Sequence, residues 1–181
     1  MPLPVPVPVP QEHNPKPEPN RAEPLLLTLR SRRATRNLGK ALAALLEPGD
    51  VVWLEGELGA GKTFFTRGLL RALGVPEAIP VTSPTFALMH EHEGRVAIRH
   101  LDLYRLDDAA ELDELGIEEA LEGAVVVIEW GARFRDAIAA RGVEIVLSVP
   151  DEGGGRGAAL RGVDARGARI VAALASTPSL R

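Results

Sequence analysis

Cysteine is absent from this chain of 181 residues, which excludes a disulfide framework, a thiolate metal site and a cysteine nucleophile. A basic excess is also missing: the formal net charge is −4, which argues against an independent nucleic-acid binder but leaves room for a small local basic patch. No apolar run is long enough to span a bilayer. The N-terminus lacks the basic start and apolar core of a secretory signal, because proline interrupts it at every second residue. A reducing cytoplasm is therefore the expected home.

What is present suits one domain with a sizeable core plus a tail, at 45% hydrophobic and 25% charged residues. Met1 to Pro24 carries nine of the fifteen prolines. Such a segment makes neither helix nor ladder hydrogen bonds, so residues 1–24 read as a disordered proline-rich extension, either simply solvated or docking into a proline-reading groove. The ordered domain is expected over residues 25–181.

Gly56-Glu57-Leu58-Gly59-Ala60-Gly61-Lys62-Thr63 fits GxxxxGK[ST] at every specified position. Val51 to Glu55 before it reads as a buried strand, and Thr63 to Leu73 after it as a helix stopped by Gly74. Glycines let main-chain N–H groups approach phosphate oxygens, and the helix points its positive end at the same anion. Lys62 can reach the β- and γ-phosphates, and the Thr63 hydroxyl can ligate Mg²⁺. The sequence therefore indicates a nucleoside-triphosphate site. Two further absences narrow it: no [NT]KxD tetrad to read guanine and no LSGGQ signature of a transporter ATPase.

Leu25 to Leu29 reads as a short strand. Ser31 is an N-cap candidate for a helix with Ala34, Leu38, Leu42 and Leu45 on one face, ending at Pro48-Gly49. Arg30, Arg32, Arg33, Arg36 and Lys40 cluster at its start, as a solvated face or a contact for nucleic acid or an acidic partner. Val81-Thr82-Ser83-Pro84-Thr85-Phe86 reads as a loop or the beginning of a strand. Its three hydroxyls suit a terminal-phosphate sensor as well as they suit an ordinary turn. Phe86 to Glu93 and Arg95 to Leu101 read as an antiparallel hairpin. Alternation then puts His100, Asp102 and Tyr104 on one face, and Asp102 either orients water near a metal or pairs with Arg99 or Arg105.

Helices are expected over 107–115 and 118–121. Ala124 to Trp130 is an apolar strand ending in an acid, the shape of a Walker B strand with Glu129 in the usual Asp position. Trp130 packs against the hydroxyl loop, a bound base or the core. A helix over 134–141, a strand over 143–149, a Gly-rich loop at 151–155, a strand over 158–163 and a helix over 164–174 complete the chain. The pattern is α/β: a P-loop NTPase three-layer sandwich with a mixed parallel and antiparallel sheet.

GELGAGKT, SPTF, HLDLYRL and IEWG, in this order and at these spacings, resemble the TsaE (formerly YjeE) family over roughly residues 25–174. The resemblance implies an ATPase, with ATP and Mg²⁺, that supports N6-threonylcarbamoylation of adenosine 37 in tRNAs reading codons that start with A. It implies TsaD-like and TsaB-like partners that carry out the transfer and make most of the tRNA contact. Carried onto this chain, Lys62, Asp102 and Glu129 are the catalytic set and Thr63 and Glu129 the metal set. Glu57, Leu58, Gly59, Ala60, Gly61, Lys62, Thr63, Phe64, Thr85 and Trp130 form the nucleotide-contacting set. Glu57 departs from the Asp of many members, a small change where loop donors are main-chain. Two other classes compete with the ATPase reading. One is a nucleotide-gated interaction module without required hydrolysis. The other is a small-molecule kinase recruiting Arg133 and Arg135, although no lid-length insertion is evident.

Overall fold

A computed structural model describes residues 23–114, 116–139, 141–150 and 154–180. Nearly all of the proline-rich extension, residues 1–22, lies outside the described residues, as does the 151–153 part of the Gly-rich loop. The strands are β1 (Leu25–Leu29), β2 (Val51–Glu55), β3 (Met89–Glu93), β4 (Ala97–Asp102), β5 (Ala124–Glu129), β6 (Val143–Ser148) and β7 (Arg156–Gly162). The helices are α1 (Arg32–Ala43), α2 (Lys62–Ala72), α3 (Ala110–Glu114), α4 (Ile117–Leu121), α5 (Arg135–Ile138) and α6 (Ala165–Ala175).

The seven strands form one sheet in the order β1-β7-β6-β2-β5-β4-β3. The inner four, β6, β2, β5 and β4, run parallel, and the β3, β7 and β1 pairings are antiparallel. Composition explains who sits in the middle. Strands covered on both faces need apolar residues at successive positions: Val51 to Leu54 of β2 and all six residues of β5 are buried. At the edge, β1 alternates and leaves Leu26 exposed.

Each face carries its own core. On one, Leu38 and Leu42 of α1, Phe65 and Leu69 of α2 and Leu174 of α6 pack on Val52 and Leu54. On the other, Trp53 and Val51 meet Leu101, Leu112, Ile117 and Phe134. Two helical layers around a mixed sheet make the expected three-layer α/β sandwich. Each large side chain so buried contributes about 1.5–3 kcal/mol. Ser31 caps α1 by accepting the Ala34 N–H at 3.1 Å, and Asp164 caps α6 through the Gly167 N–H at 2.7 Å.

Several boundaries differ from the sequence reading. β3 starts at Met89 instead of Phe86, because Leu88 takes φ 63° and closes a turn onto the Pro84 carbonyl at 2.6 Å. α3 starts late: the Asp107 and Asp108 N–H groups are spent on Glu111 Oε1, and Asp108 accepts from Ala110. Leu115, the last residue of that expected helix, lies outside the described residues. The helix expected over 134–141 is a 3-10 turn, Ala132–Phe134, running into the short α5. Ala139 is extended, and the Arg141 carbonyl accepts the Trp53 Nε1–H at 2.8 Å, which draws this stretch against β2. β7 begins two residues early because Arg156 and Gly157 pair with β1 and β6.

Candidate functional site

The sheet register assembles the site. Leu54 of β2 lies beside Glu129 of β5, and Glu129 lies beside Asp102 of β4. The carboxyl ends of three parallel strands thus meet at one edge, where open α/β sheets bind ligands. From β2 the chain turns through residues 56–61 into α2, and Gly61, at φ 107°, caps that helix with no side-chain bond to its first-turn N–H groups. Unspent N–H groups at a helix start are anion donors.

Lys62 lies almost wholly inside this turn, 5% exposed. Its Nζ donates to the Gly56 carbonyl at 2.6 Å and the Glu57 carbonyl at 3.0 Å, and sits 3.7 Å from the centre of the Trp130 ring. Burial holds its pKa below the usual lysine value, opposed by the charges of Glu129, Glu55 and Asp102. Trp130 also packs on Tyr104, ring centres 5.0 Å apart. Trp130 has φ 62°. A bulky side chain in the left-handed region costs of order 1–3 kcal/mol, a strain that clusters at functional sites.

Glu129 is 1% exposed. Its Oε2 accepts the Thr63 hydroxyl at 3.2 Å, and its Oε1 accepts the Thr66 hydroxyl at 3.1 Å and faces His100 Nε2 at 2.9 Å. Asp102 is 4% exposed. It accepts from the Ser83 hydroxyl, from Thr85 Oγ1 at 2.8 Å and from the Tyr104 N–H at 3.1 Å. The Ser83 and Thr85 hydroxyl oxygens lie 2.6 Å apart, side by side on the same carboxylate oxygen. The loop ahead of β3 is thereby tied to the end of β4.

These groups line a cavity of about 340 Å³ that includes Lys62, Thr63, Thr85, Asp102, Glu129 and Trp130. Leu58, Gly59, Gly61 and Phe64 also border it, whereas Ala60 is fully buried behind the turn. The Glu57 and Leu58 side chains are exposed. On the other side of Gly61 and Phe64 a second cavity of about 320 Å³ is lined by Leu29, Arg32, Thr35, Leu147 and Arg156. The Arg156 Nε–H donates to the Ala60 carbonyl at 3.0 Å.

Some sequence alternatives are now decided. Arg99 pairs with Glu91 at 3.0 Å and Arg105 lies over the Phe86 ring, so neither is the partner of Asp102. Of the three loop hydroxyls, Ser83 and Thr85 reach Asp102 while Thr82 is exposed. β4 ends at Asp102, so Tyr104 lies beyond the strand, yet it still lines the same cavity as Asp102. Arg133 is bound to the carbonyls of Leu103, Tyr104 and Leu106, and Arg135 to Glu144, so both are tethers. The basic residues around the start of α1 are exposed, and Arg32 lies over Phe64.

Sequence reasoning missed Thr66, His100 and Arg156 as site residues. Thr66 falls one helical turn after Thr63 and His100 two strand positions before Asp102, so both were legible in the spacing. Arg156 is 96 residues from Ala60, a contact no local pattern announces.

Comparison with known proteins completes the description. The family model described as "Threonylcarbamoyl adenosine biosynthesis protein TsaE" matches residues 29–156. The tRNA threonylcarbamoyladenosine biosynthesis protein TsaE of Rickettsia felis is 41% identical over 128 residues, covering 70% of this chain and 74% of that protein. The protein of the same description from Treponema pallidum is 42% identical over 125 residues, covering 68% of this chain and 91% of that protein. The crystal structure of Bacillus subtilis YdiB superposes with a TM-score of 0.70 at 27% identity, covering 88% of this chain and 97% of the other.

Proposed function

The chain belongs to the TsaE family of threonylcarbamoyl adenosine biosynthesis proteins, and on that premise we propose that it is a Mg²⁺-dependent ATPase supporting N6-threonylcarbamoylation of adenosine 37 in tRNAs. It acts in the cytoplasm with TsaD-like and TsaB-like partners, which carry out the transfer and hold most of the tRNA. The observation that carries the reading is Thr63 and Glu129 set 3.2 Å apart directly beside Lys62 and the start of α2.

Lys62 and the first-turn N–H groups of α2 grip the β- and γ-phosphates, and the lysine leaves the Gly56 and Glu57 carbonyls to do so. Thr63 Oγ1 and Glu129 Oε2 are the residues that would hold Mg²⁺; an all-oxygen donor pair suits that hard cation. Bound Mg²⁺ supplies charge neutralisation at the phosphate oxygens. Asp102 holds Ser83 and Thr85 across the cavity from Thr63, where their hydroxyls are placed to meet a terminal phosphate or orient a water. Thr35, Leu147 and Arg156 line the adjoining cavity, which would receive the nucleoside.

A kinase reading loses its arginines, since Arg133 and Arg135 are already engaged. The gated-module reading keeps one specific support: Phe86, 88% exposed, sits on the loop that Asp102 ties to the site. Nucleotide-dependent rearrangement of that loop would change a surface available to partners.

The test is calorimetry with MgATP on wild type and Lys62→Ala, followed by turnover of Glu129→Ala with both partners. Loss of one preorganised charge-stabilising group is expected to lower kcat about 10²–10³-fold. A folded wild-type chain that takes up no MgATP, alone or with partners, overturns the proposal. Wild-type turnover by Glu129→Ala removes that residue from the catalytic set. Full pathway support by a variant that binds ATP without hydrolysing it selects the gated module.

A further inference from the structure

His100 is fully buried, on the same face of β4 as Asp102. Its only polar partner among the described residues is Glu129 Oε1, at 2.9 Å, and its Nδ1 has none. A carboxylate accepts hydrogen bonds, so the ring donates through Nε2–H. That tautomer is also the one that leaves no buried N–H without an acceptor. An unpaired buried nitrogen costs about 1–3 kcal/mol, and a site built for packing alone would hold an aliphatic residue, as Ile98 and Leu101 of the same strand do.

The bond has a geometric consequence. Thr66 donates to the same oxygen at 3.1 Å, so Oε1 is held by two buried donors from opposite sides, one on β4 and one on α2. Oε2 is left with the Thr63 hydroxyl at 3.2 Å, on the cavity side. The two oxygens of one carboxylate therefore have different tasks.

We propose that His100 is a positioning residue for Glu129: together with Thr66 it clamps Oε1, fixing the carboxylate so that Oε2 and Thr63 Oγ1 form a ready-made oxygen pair for the divalent cation. The inference rests on the MgATP reading of the cavity. Donors behind a metal ligand orient it, and their loss typically weakens metal affinity about 10–100-fold.

The experiment measures calorimetric ADP affinity in chelator and in Mg²⁺, and the Mg²⁺ concentration giving half of the metal-dependent gain. The proteins are wild type, His100→Leu, His100→Gln, His100→Asn and Thr66→Val. His100→Leu and Thr66→Val are expected to raise that Mg²⁺ concentration about tenfold or more, with metal-free ADP binding unchanged. Gln carries an amide N–H at the reach of Nε2 and is expected to restore most of the loss; Asn is shorter and is not. A folded His100→Leu protein with wild-type Mg²⁺ response, or Gln and Asn variants that behave alike, overturns the proposal. If His100→Leu does not fold, the Gln and Asn pair gives the same decision. A wild-type chain with no ADP binding in Mg²⁺ sinks the parent reading. A wild-type chain whose Mg²⁺ response survives every substitution sinks only this one.

Discussion

Gly56 and Gly59 occupy the same turn, both with positive φ, yet substitution by Ala should separate them sharply. At Gly56, φ is 136° and an added Cβ would lie 2.2 Å from the Leu147 carbonyl oxygen of β6. An ordinary carbon-to-oxygen approach is about 3.3 Å, so loop or strand must yield by about 1 Å. Overpacking of that kind costs about 1–3 kcal/mol, and left-handed backbone adds about 1–2 kcal/mol. A total near 3 kcal/mol lowers Tm by about 6–12 °C for a domain of this size. At Gly59, φ is 83° and nothing lies within 4 Å of the added atom, leaving only the backbone cost of about 1 kcal/mol and a fall of about 2–4 °C. The displaced turn leads directly into the start of α2, so Gly56→Ala should weaken nucleotide binding along with stability. Thermal unfolding of both variants, with and without MgADP, is the assay. Melting temperatures within 2 °C of one another would refute the idea that the β6 carbonyl sets the requirement for glycine.

Arg166 donates to both oxygens of buried Asp50 and to the Leu45 carbonyl, so Arg166→Ala leaves that carboxylate, among the described residues, with only the Glu47 N–H at 2.8 Å. The expected loss, read from the urea midpoint, is about 2 kcal/mol. His92 is buried with neither ring nitrogen paired among the described residues, and its pKa lies below 6.5, first through desolvation and then through His100, His90 and Arg71. The unfolded chain then binds the proton first, so stability should fall as pH drops below 6.5, and His92→Leu should flatten that fall in pH-dependent melts. Trp53 is fully buried and Trp130 touches Lys62, so MgADP, by drawing the ammonium off the ring, should change intrinsic fluorescence. Trp130→Phe should abolish the change, and a signal that persists would place its origin at Trp53.

The parallel core was legible because burial on both faces forces unbroken apolar runs, and Val51 to Leu54 and Ala124 to Ile128 are such runs. Ser31 was legible because a capping oxygen acts within three residues of its donor. What escaped was set by distant partners. The short α5 follows from Trp53 binding the Arg141 carbonyl, 88 residues along the chain. The late start of β3 follows from Leu88 adopting a conformation that its type disfavours. Within the site, Lys62, Thr63 and Glu129 are announced by a phosphate-loop pattern and an acid at a strand end. That Glu129 is held by His100 and Thr66 depends on the β4–β5 register, which neither strand states alone.

Each charged group of the site is satisfied by partners within the chain. Lys62 is on two carbonyls and an aromatic face, Asp102 on two hydroxyls and an amide, and Glu129 on two hydroxyls and an imidazole. An unpaired buried charge would be costly, so these internal partners are what allow such a site to sit in a folded core. On the proposed reading, ligand binding is an exchange: Lys62 would trade neutral carbonyls for an anionic phosphate, and charge-assisted bonds are roughly twice as strong as neutral ones. The gain should be concentrated where an internal partner is weakest, at Lys62 and at the Thr63 side of Glu129. At Asp102 the existing bonds are already charge-assisted, so Ser83 and Thr85 move only for a ligand that brings comparable charge. On the proposed MgATP reading a terminal phosphate would do so, which would let the loop carrying Phe86 distinguish a triphosphate from a diphosphate.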